Sequence, residues 1–390
     1  MKGADLTTRR RLLGGLAMAA GAPLVPAQED PFRDHSRVPG MDELVTTLDF
    51  EGAFHAKVPR EVYDYTMYGE GSEFTLRRNR DAFSWVELVP NGLVDVSAVK
   101  TETEVAGTRM AFPIMLSPTS GHGSLYKDGE IGTHQGANGA SATPYIVSNG
   151  SSFPFDKVAA AAPSPVWFQL YPQQSVDDSR DTLERVQAAG AKAVAVTLDQ
   201  QASYYERPQH DLHLGAPARA RALAARNRST NPYRVPDRRI WYSWKYIDDI
   251  RPFIKVPMFA KGILTAEDAR LCIEHGFDGV YVSNHGGRSL DYDPSTLEVL
   301  AEIVDAVGGK IPVIFDSGVR YGADVLKALA LGAKAVCVGR VARWGLGAFG
   351  PEGVTRVIEI LQGELVMAMA QTGRPTLASI DRSLVRTRFL

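Results

Sequence analysis

Eight short apolar runs, with helix-patterned stretches between several of them, set the narrowest limit on what this chain can fold into. The runs occupy 112–117, 144–148, 166–170, 193–198, 257–260, 279–283, 312–315 and 335–338. Runs this short and this uniformly apolar are what strands look like when both faces are buried, between an inner core and a cover of helices. Amphipathic stretches fall at 175–189, 265–275, 294–307 and 321–331. Thr265 followed by Glu267 and Asp268 is a helix start with acids in its first turn, and Gly190, Gly276 and Gly332 stand where helices should stop. This alternation predicts an α/β fold, a parallel sheet closed into a (β/α)8 (TIM) barrel over 111–390. An open doubly wound sheet would need a Gly-x-Gly-x-x-Gly turn after the first run, and that turn is missing.

The flanks read differently. Segment 28–110 is irregular and helical, with short helices expected over 41–48 and 59–68, the second opening on Pro59 and crowded by Tyr63, Tyr65 and Tyr68. It reads as an N-terminal helical lead-in packed on the barrel. Thr8-Arg9-Arg10-Arg11 precedes a weakly apolar segment, and Val25-Pro26-Ala27 offers small residues for cleavage, so 1–27 is expected to be a twin-arginine-type export signal directing the protein to the periplasm or outside the cell. The connection 211–242 is too long for an ordinary loop and is expected to act as a lid.

A net charge of −2 gives no reason to expect a nucleic-acid partner, and no run is long enough to span a membrane. Cys272 and Cys337 fall in helix and strand patterns, as core residues rather than disulfide or metal partners, and no metal site is expected.

In such a barrel the chemistry sits where strands end. Here every run ends in polar or charged groups: Thr119 and Ser120, then Ser148 with Asn149 and Gly150, then Gln169 and Tyr171, then Thr197 and Asp199. Lys261 and Gly262 follow the fifth run. Ser283-Asn284-His285-Gly286-Gly287-Arg288 follows the sixth, Asp316-Ser317-Gly318-Val319-Arg320 the seventh, and Gly339-Arg340 the eighth. His285 can take a proton and Arg288 can grip a carboxylate with two parallel bonds. Glycine-containing turns after strands seven and eight, with Arg320 and Arg340 beside them, suit a phosphate. Flavin mononucleotide, with a phosphate, a polar chain and a flat ring, has a shape that would extend from there across the mouth.

With those residues together, the chain resembles the FMN-dependent 2-hydroxy-acid oxidases and dehydrogenases over about residues 58–385. The most specific stretches are 283–292, 261–269, 316–320 and 327–333. The resemblance implies FMN as cofactor and oxidation of a 2-hydroxy acid to the 2-oxo acid. It makes His285 the base, with Asp199 pairing with its imidazolium. It places Lys261 at the edge of the flavin where charge collects, and Arg288 and Tyr65 on the substrate carboxylate. Tyr171 would face the reacting hydroxyl. Thr119, Ser120, Ser148, Gln169 and Thr197 would hold the ring, while Arg320, Gly318, Gly339 and Arg340 hold the phosphate and ribityl end, with Ser283 and Asp316 also lining the cofactor. It further implies a homo-oligomer, commonly a tetramer, and an acceptor that is either oxygen or a respiratory carrier; no haem-attachment Cys-x-x-Cys-His is present.

Three positions depart from the family pattern. A second carboxylate-binding arginine is usual where Glu206 stands, with Arg207 one residue later, and the whole stretch from Gln200 to Arg207 differs from the usual Thr-Pro and Gly-Arg sequence. Gly150 stands where short-chain enzymes carry an aromatic, which implies a roomier pocket, and Ser120 replaces a small apolar residue. The first departure keeps a second substrate in view, a modified peptide or amine-like molecule oxidised on the same flavin scaffold. A flavin-free barrel binding a phosphorylated metabolite is the third reading, and it leaves His285, Asp199 and Lys261 without a task.

Overall fold

The computed structural model describes residues 38–173, 175–200 and 242–389. The expected signal 1–27, Arg207 and the lid-like segment up to residue 241 lie outside them. Pro39–Leu390 form one compact unit.

Its centre is a closed barrel of eight parallel strands: β1 (Ile114–Leu116), β2 (Tyr145–Ser148), β3 (Val166–Leu170), β4 (Val194–Thr197), β5 (Met258–Ile263), β6 (Gly279–Val282), β7 (Val313–Phe315) and β8 (Ala335–Val338). Each pairs with its neighbours in chain order, and β8 closes on β1 through Val336↔Ile114 and Val338↔Leu116. All eight lie within or beside the apolar runs of the sequence. Alternate side chains point to opposite faces of a strand. Met115, Ile146, Trp167, Phe259, Tyr281 and Ile314 therefore fill the barrel, while Ile114, Leu116, Val147, Val196 and Phe315 meet the helices. An antiparallel hairpin, Thr103–Val105 with Thr108–Met110, plugs the end where the strands begin: Val105 and Met110 join the inner cluster, and the Trp167 indole donates to Thr108 Oγ1 at 2.9 Å. The opposite end is left for chemistry.

Helices Val176–Ala188, Ala266–Glu274 and Thr296–Val307 each have a side-chain cap, the second at the Thr265 start expected from the sequence. Ser175, Thr265 and Ser295 accept from the backbone N–H of Asp178, Asp268 and Leu297. The expectation of a helix over 41–48 needs correction. A single 3-10 turn, Met41–Glu43, is followed by extended chain at Leu44, and the helix proper is α1, Asp49–Lys57. The Asp49 carboxylate accepts from Val45 N at 3.0 Å and Thr46 N at 2.7 Å, giving the backbone a local alternative to helix. α2 (Arg60–Met67) starts after Pro59, and α3 (Phe74–Ser84) follows it.

Candidate active site

The loop after β6 carries the centre of the site. His285 has a left-handed backbone, φ 59°, uncommon for a residue with a side chain. Its N–H is received by Ser283 Oγ at 3.1 Å, and Gly286 N–H donates to Ser317 Oγ at 3.1 Å, tying the β6 loop to the β7 loop. Beneath it, Asn284 and Asn79 of α3 form a reciprocal amide pair, 2.9 and 2.8 Å, both side chains buried. The lead-in therefore helps to build the site. Asp291, past the same loop, accepts from Ser72 N and Thr75 N and serves as the cap of α3 from a distant part of the chain.

Turned this way, His285 meets two charged groups. Its Nδ1 lies 3.1 Å from Asp199 Oδ1 and 3.3 Å from Lys261 Nζ, and Lys261 is 3.9 Å from Asp199. Lys261 and Asp199 are brought side by side because Thr197 and Lys261 are partners across β4 and β5. The strands approach closely there: Gly262 takes φ 104°, and a Cβ on it would come within 2.6 Å of Asp199 Cβ. Burial alone would raise the Asp199 pKa, but Lys261 and then His285 reverse that and hold it below its ordinary value. The far ring nitrogen, Nε2, lies 3.2 Å from the Tyr171 hydroxyl.

A second group of expected residues forms a polar chain along the strand ends. Ser148 Oγ donates to Gln169 Oε1 at 3.1 Å, and Gln169 Nε2 donates to Thr197 Oγ1 at 2.9 Å. Thr119 turns its hydroxyl to His122 Nε2 at 2.6 Å, so it is satisfied within the protein. Asp316 receives the Tyr281 hydroxyl at 2.7 Å and Ser317 Oγ at 2.8 Å. Tyr65 and Ser120 hydroxyls pair at 3.0 Å, and the Arg288 guanidinium lies 4.9 Å from the Tyr65 ring centroid, its Nη1 donating to the Tyr68 carbonyl.

The ends of β7 and β8 hold a buried cationic group. Burial, then Arg80, lowers the Arg320 pKa to about 10. Arg340 is pushed well below its usual range by burial and by Arg320, Arg288 and Arg343. Gly318 adopts φ 82°, and a Cβ there would collide with the Asn79 carbonyl, so the turn needs glycine. Gly339 leads directly into the helix that carries Arg340. Guanidiniums crowded this way, beside backbone turns, fit a dianionic phosphate.

Three residues escaped the sequence reading. Arg343, one helical turn past Arg340, is buried; it donates to the Ser120 carbonyl at 2.6 Å and lies 5.3 Å from the Tyr65 ring centroid. Gln200 bonds the Tyr171 hydroxyl at 3.0 Å. Asp293, past the histidine loop, has its pKa raised to about 6 by burial, then by Asp199 and Asp291. Only the helical spacing of Arg343 from Arg340 offered a signal beforehand. Among the described residues no group of His, Cys, Asp and Glu is placed to hold a metal, and no helix is long and apolar enough to cross a membrane.

Such a mouth, with a His–Asp–Lys group on one side and a crowd of guanidiniums on the other, suits an oxidoreductase with a phosphate-bearing cofactor built on a barrel. The chain belongs to the FMN-dependent dehydrogenase family, whose family model matches residues 54–387. FMN is thus the cofactor, and the flavin-free reading falls away. The chain is 37% identical to the peroxisomal (S)-2-hydroxyacid oxidase GLO3 of Arabidopsis thaliana, over 89% of this chain and 98% of that one. It is 36% identical to glycolate oxidase 1 of Zea mays, over 89% and 97%. A crystal structure of mandelate oxidase with benzoyl-formic acid superposes with a TM-score of 0.78 at 34% identity, covering 89% of this chain and 99% of the other.

Proposed function

We infer that this protein oxidises a 2-hydroxy acid to the 2-oxo acid. The observation that carries the reading is the histidine held at Nδ1 by Asp199, 3.1 Å away, in the same loop as an arginine packed on Tyr65. When bound, FMN supplies the two-electron acceptor. His285 takes a proton from the substrate at Nε2, and Asp199 compensates the imidazolium. Lys261 balances the buried aspartate. Arg288, with the Tyr65 hydroxyl, binds the carboxylate, and Tyr171 orients the substrate hydroxyl. The phosphate is held by Arg320 and Arg340 with the Gly318 turn.

The substrate side chain is larger than that of glycolate. The sequence motivates this, since Gly150 stands where short-chain enzymes of the family carry an aromatic; a Cβ there would come within 2.9 Å of Ser120 Cβ, so Ser120 takes up part of that space. The acceptor is oxygen, and the enzyme is exported and oligomeric; export rests on the arginine-led segment ending at Ala27. Mature protein recovered outside the cytoplasm should begin after Ala27, and turnover should yield hydrogen peroxide. Anaerobic titration of the yellow protein with hydroxy acids from glycolate to mandelate should bleach the flavin absorbance, most readily with the bulky acids. No bleaching across the series would overturn the substrate class. Unchanged hydroxy-acid turnover in Arg207→Ala would show that Arg288 acts without that second arm.

A further inference from the structure

Arg343 stands on the helix that follows β8, buried beside the point where Tyr65 and Ser120 meet. Its guanidinium holds Tyr65 in three ways. Nη1 donates to the Ser120 carbonyl at 2.6 Å, and the Ser120 hydroxyl pairs with that of Tyr65 at 3.0 Å. Nε donates to Thr66 Oγ1 at 3.2 Å. The Thr66 hydroxyl donates in turn to the Val62 carbonyl at 2.9 Å, which leaves a lone pair for Arg343 and pins the turn of α2 that carries Tyr65. The cation itself lies 5.3 Å from the Tyr65 ring centroid, and Arg288 lies 4.9 Å from the same centroid. Serving a carbonyl, a hydroxyl and a ring at once suits the planar fork of arginine and not the point charge of lysine.

The charge of Arg343 is not cancelled where it stands. Glu130 is the acid that acts on it, yet the two make no direct bond: Arg343 Nη2 and Glu130 Oε2 are both buried and both without a hydrogen-bond partner. The other Glu130 oxygen accepts the His122 N–H at 2.9 Å. Away from bulk water such a charge is weakly screened and is felt several ångströms off.

We propose that Arg343 is a positioning residue that also sets specificity: it fixes Tyr65 and adds a second positive charge, beyond Arg288, where the substrate carboxylate binds, so that carboxylates are selected over uncharged analogues. The inference rests on Arg288 and Tyr65 being the carboxylate grip, and extends that grip to a residue acting through them. It holds with or without an arm from Arg207, since Arg343 is held by Ser120, Thr66 and Tyr65.

The test uses the FMN-loaded protein and reads binding from the change in the flavin absorption spectrum, with no turnover. The probes are benzoyl-formate and its uncharged amide, with pyruvate and its amide as a smaller pair. The unsubstituted protein should prefer each acid to its amide. Arg343→Met keeps the length of the side chain and drops the charge. It should weaken acid binding about thirtyfold and amide binding about threefold, the shared part coming from a loosened Tyr65, so that the preference falls about tenfold. Arg343→Lys returns the charge without the fork and should recover most of the preference. In turnover, Arg343→Met should raise KM for hydroxy acids far more than it lowers kcat. A preference unchanged in Arg343→Met, or acid and amide weakened equally, overturns the proposal and leaves Arg343 a structural residue. If the unsubstituted protein shows no preference for the acids, the carboxylate grip of Arg288 and Tyr65 fails first, and the inference falls with it. Arg343→Gln takes the place of Arg343→Met if the latter does not retain FMN.

Discussion

His285 is held in an uncommon backbone conformation so that one ring nitrogen meets Asp199 and the other faces Tyr171. Strain of this kind persists only where surrounding bonds over-determine it, and here Ser283, Ser317 and Asn284 supply them. Asp199 stays ionised in a buried position because Lys261 and His285 outweigh the cost of burial. Asp199→Asn should lower kcat/KM on the order of 10²-fold, read by rapid flavin reduction, while FMN binding is retained. Asp293 has the opposite problem. Its folded-state pKa of about 6 exceeds the ordinary carboxyl value, so the native protein binds more protons than the unfolded chain between pH 4 and 6 and loses stability as pH rises through that window. Asp293→Asn should therefore raise Tm at pH 8 but not near pH 3. The group is only partly buried, so the gain should be about 1 kcal/mol or less. An equal change at both pH values would show that the carboxylate charge is not the cause.

At the scale of elements, the site depends on α3 as much as on the barrel. The Asn79–Asn284 pair joins this helix to the histidine loop, and Asn284 also receives Gly287 N–H and donates to the Pro294 carbonyl. Asn79→Ala leaves a buried amide short of partners and should cost about 2 kcal/mol in urea unfolding. Asn284→Ala should cost a similar amount, and the double variant less than the sum of the two. Simple additivity would mean that the pair does not couple the helix to the loop.

Across the whole molecule, arginines from three stretches of chain converge at one end of the barrel: Arg288, Arg320, Arg340 and Arg343, with Glu73 acting on Arg340, Asp324 and Glu51 on Arg320, and Glu130 on Arg343. Like charges buried together destabilise the fold until an anion joins them. Loading flavin-free protein with FMN should raise Tm in a concentration-dependent way, by about 4 kcal/mol of stability at a thousand times Kd. Arg340→Ala should shrink that rise while bringing the flavin-free protein closer to the stability of the loaded one. A full rise in the variant would remove Arg340 from the phosphate site.

The strand–helix alternation, the strand positions and the helix start at Thr265 were legible in the sequence because they depend on local periodicity and on a hydrogen bond spanning three residues. So was the list of strand-end residues, since a barrel puts those positions at one mouth whatever its details. The start of α1 was not legible, because the Asp49 carboxylate competed with the helical pattern over 41–48. Nor could spacing show that Asn79 would meet Asn284, that Asp291 would cap a helix more than two hundred residues earlier, or that Gln200 would reach Tyr171. Those pairings join side chains with no sequence relation to one another. The closing of the barrel and the docking of the lead-in, which only the tertiary structure decides, bring them within bonding distance.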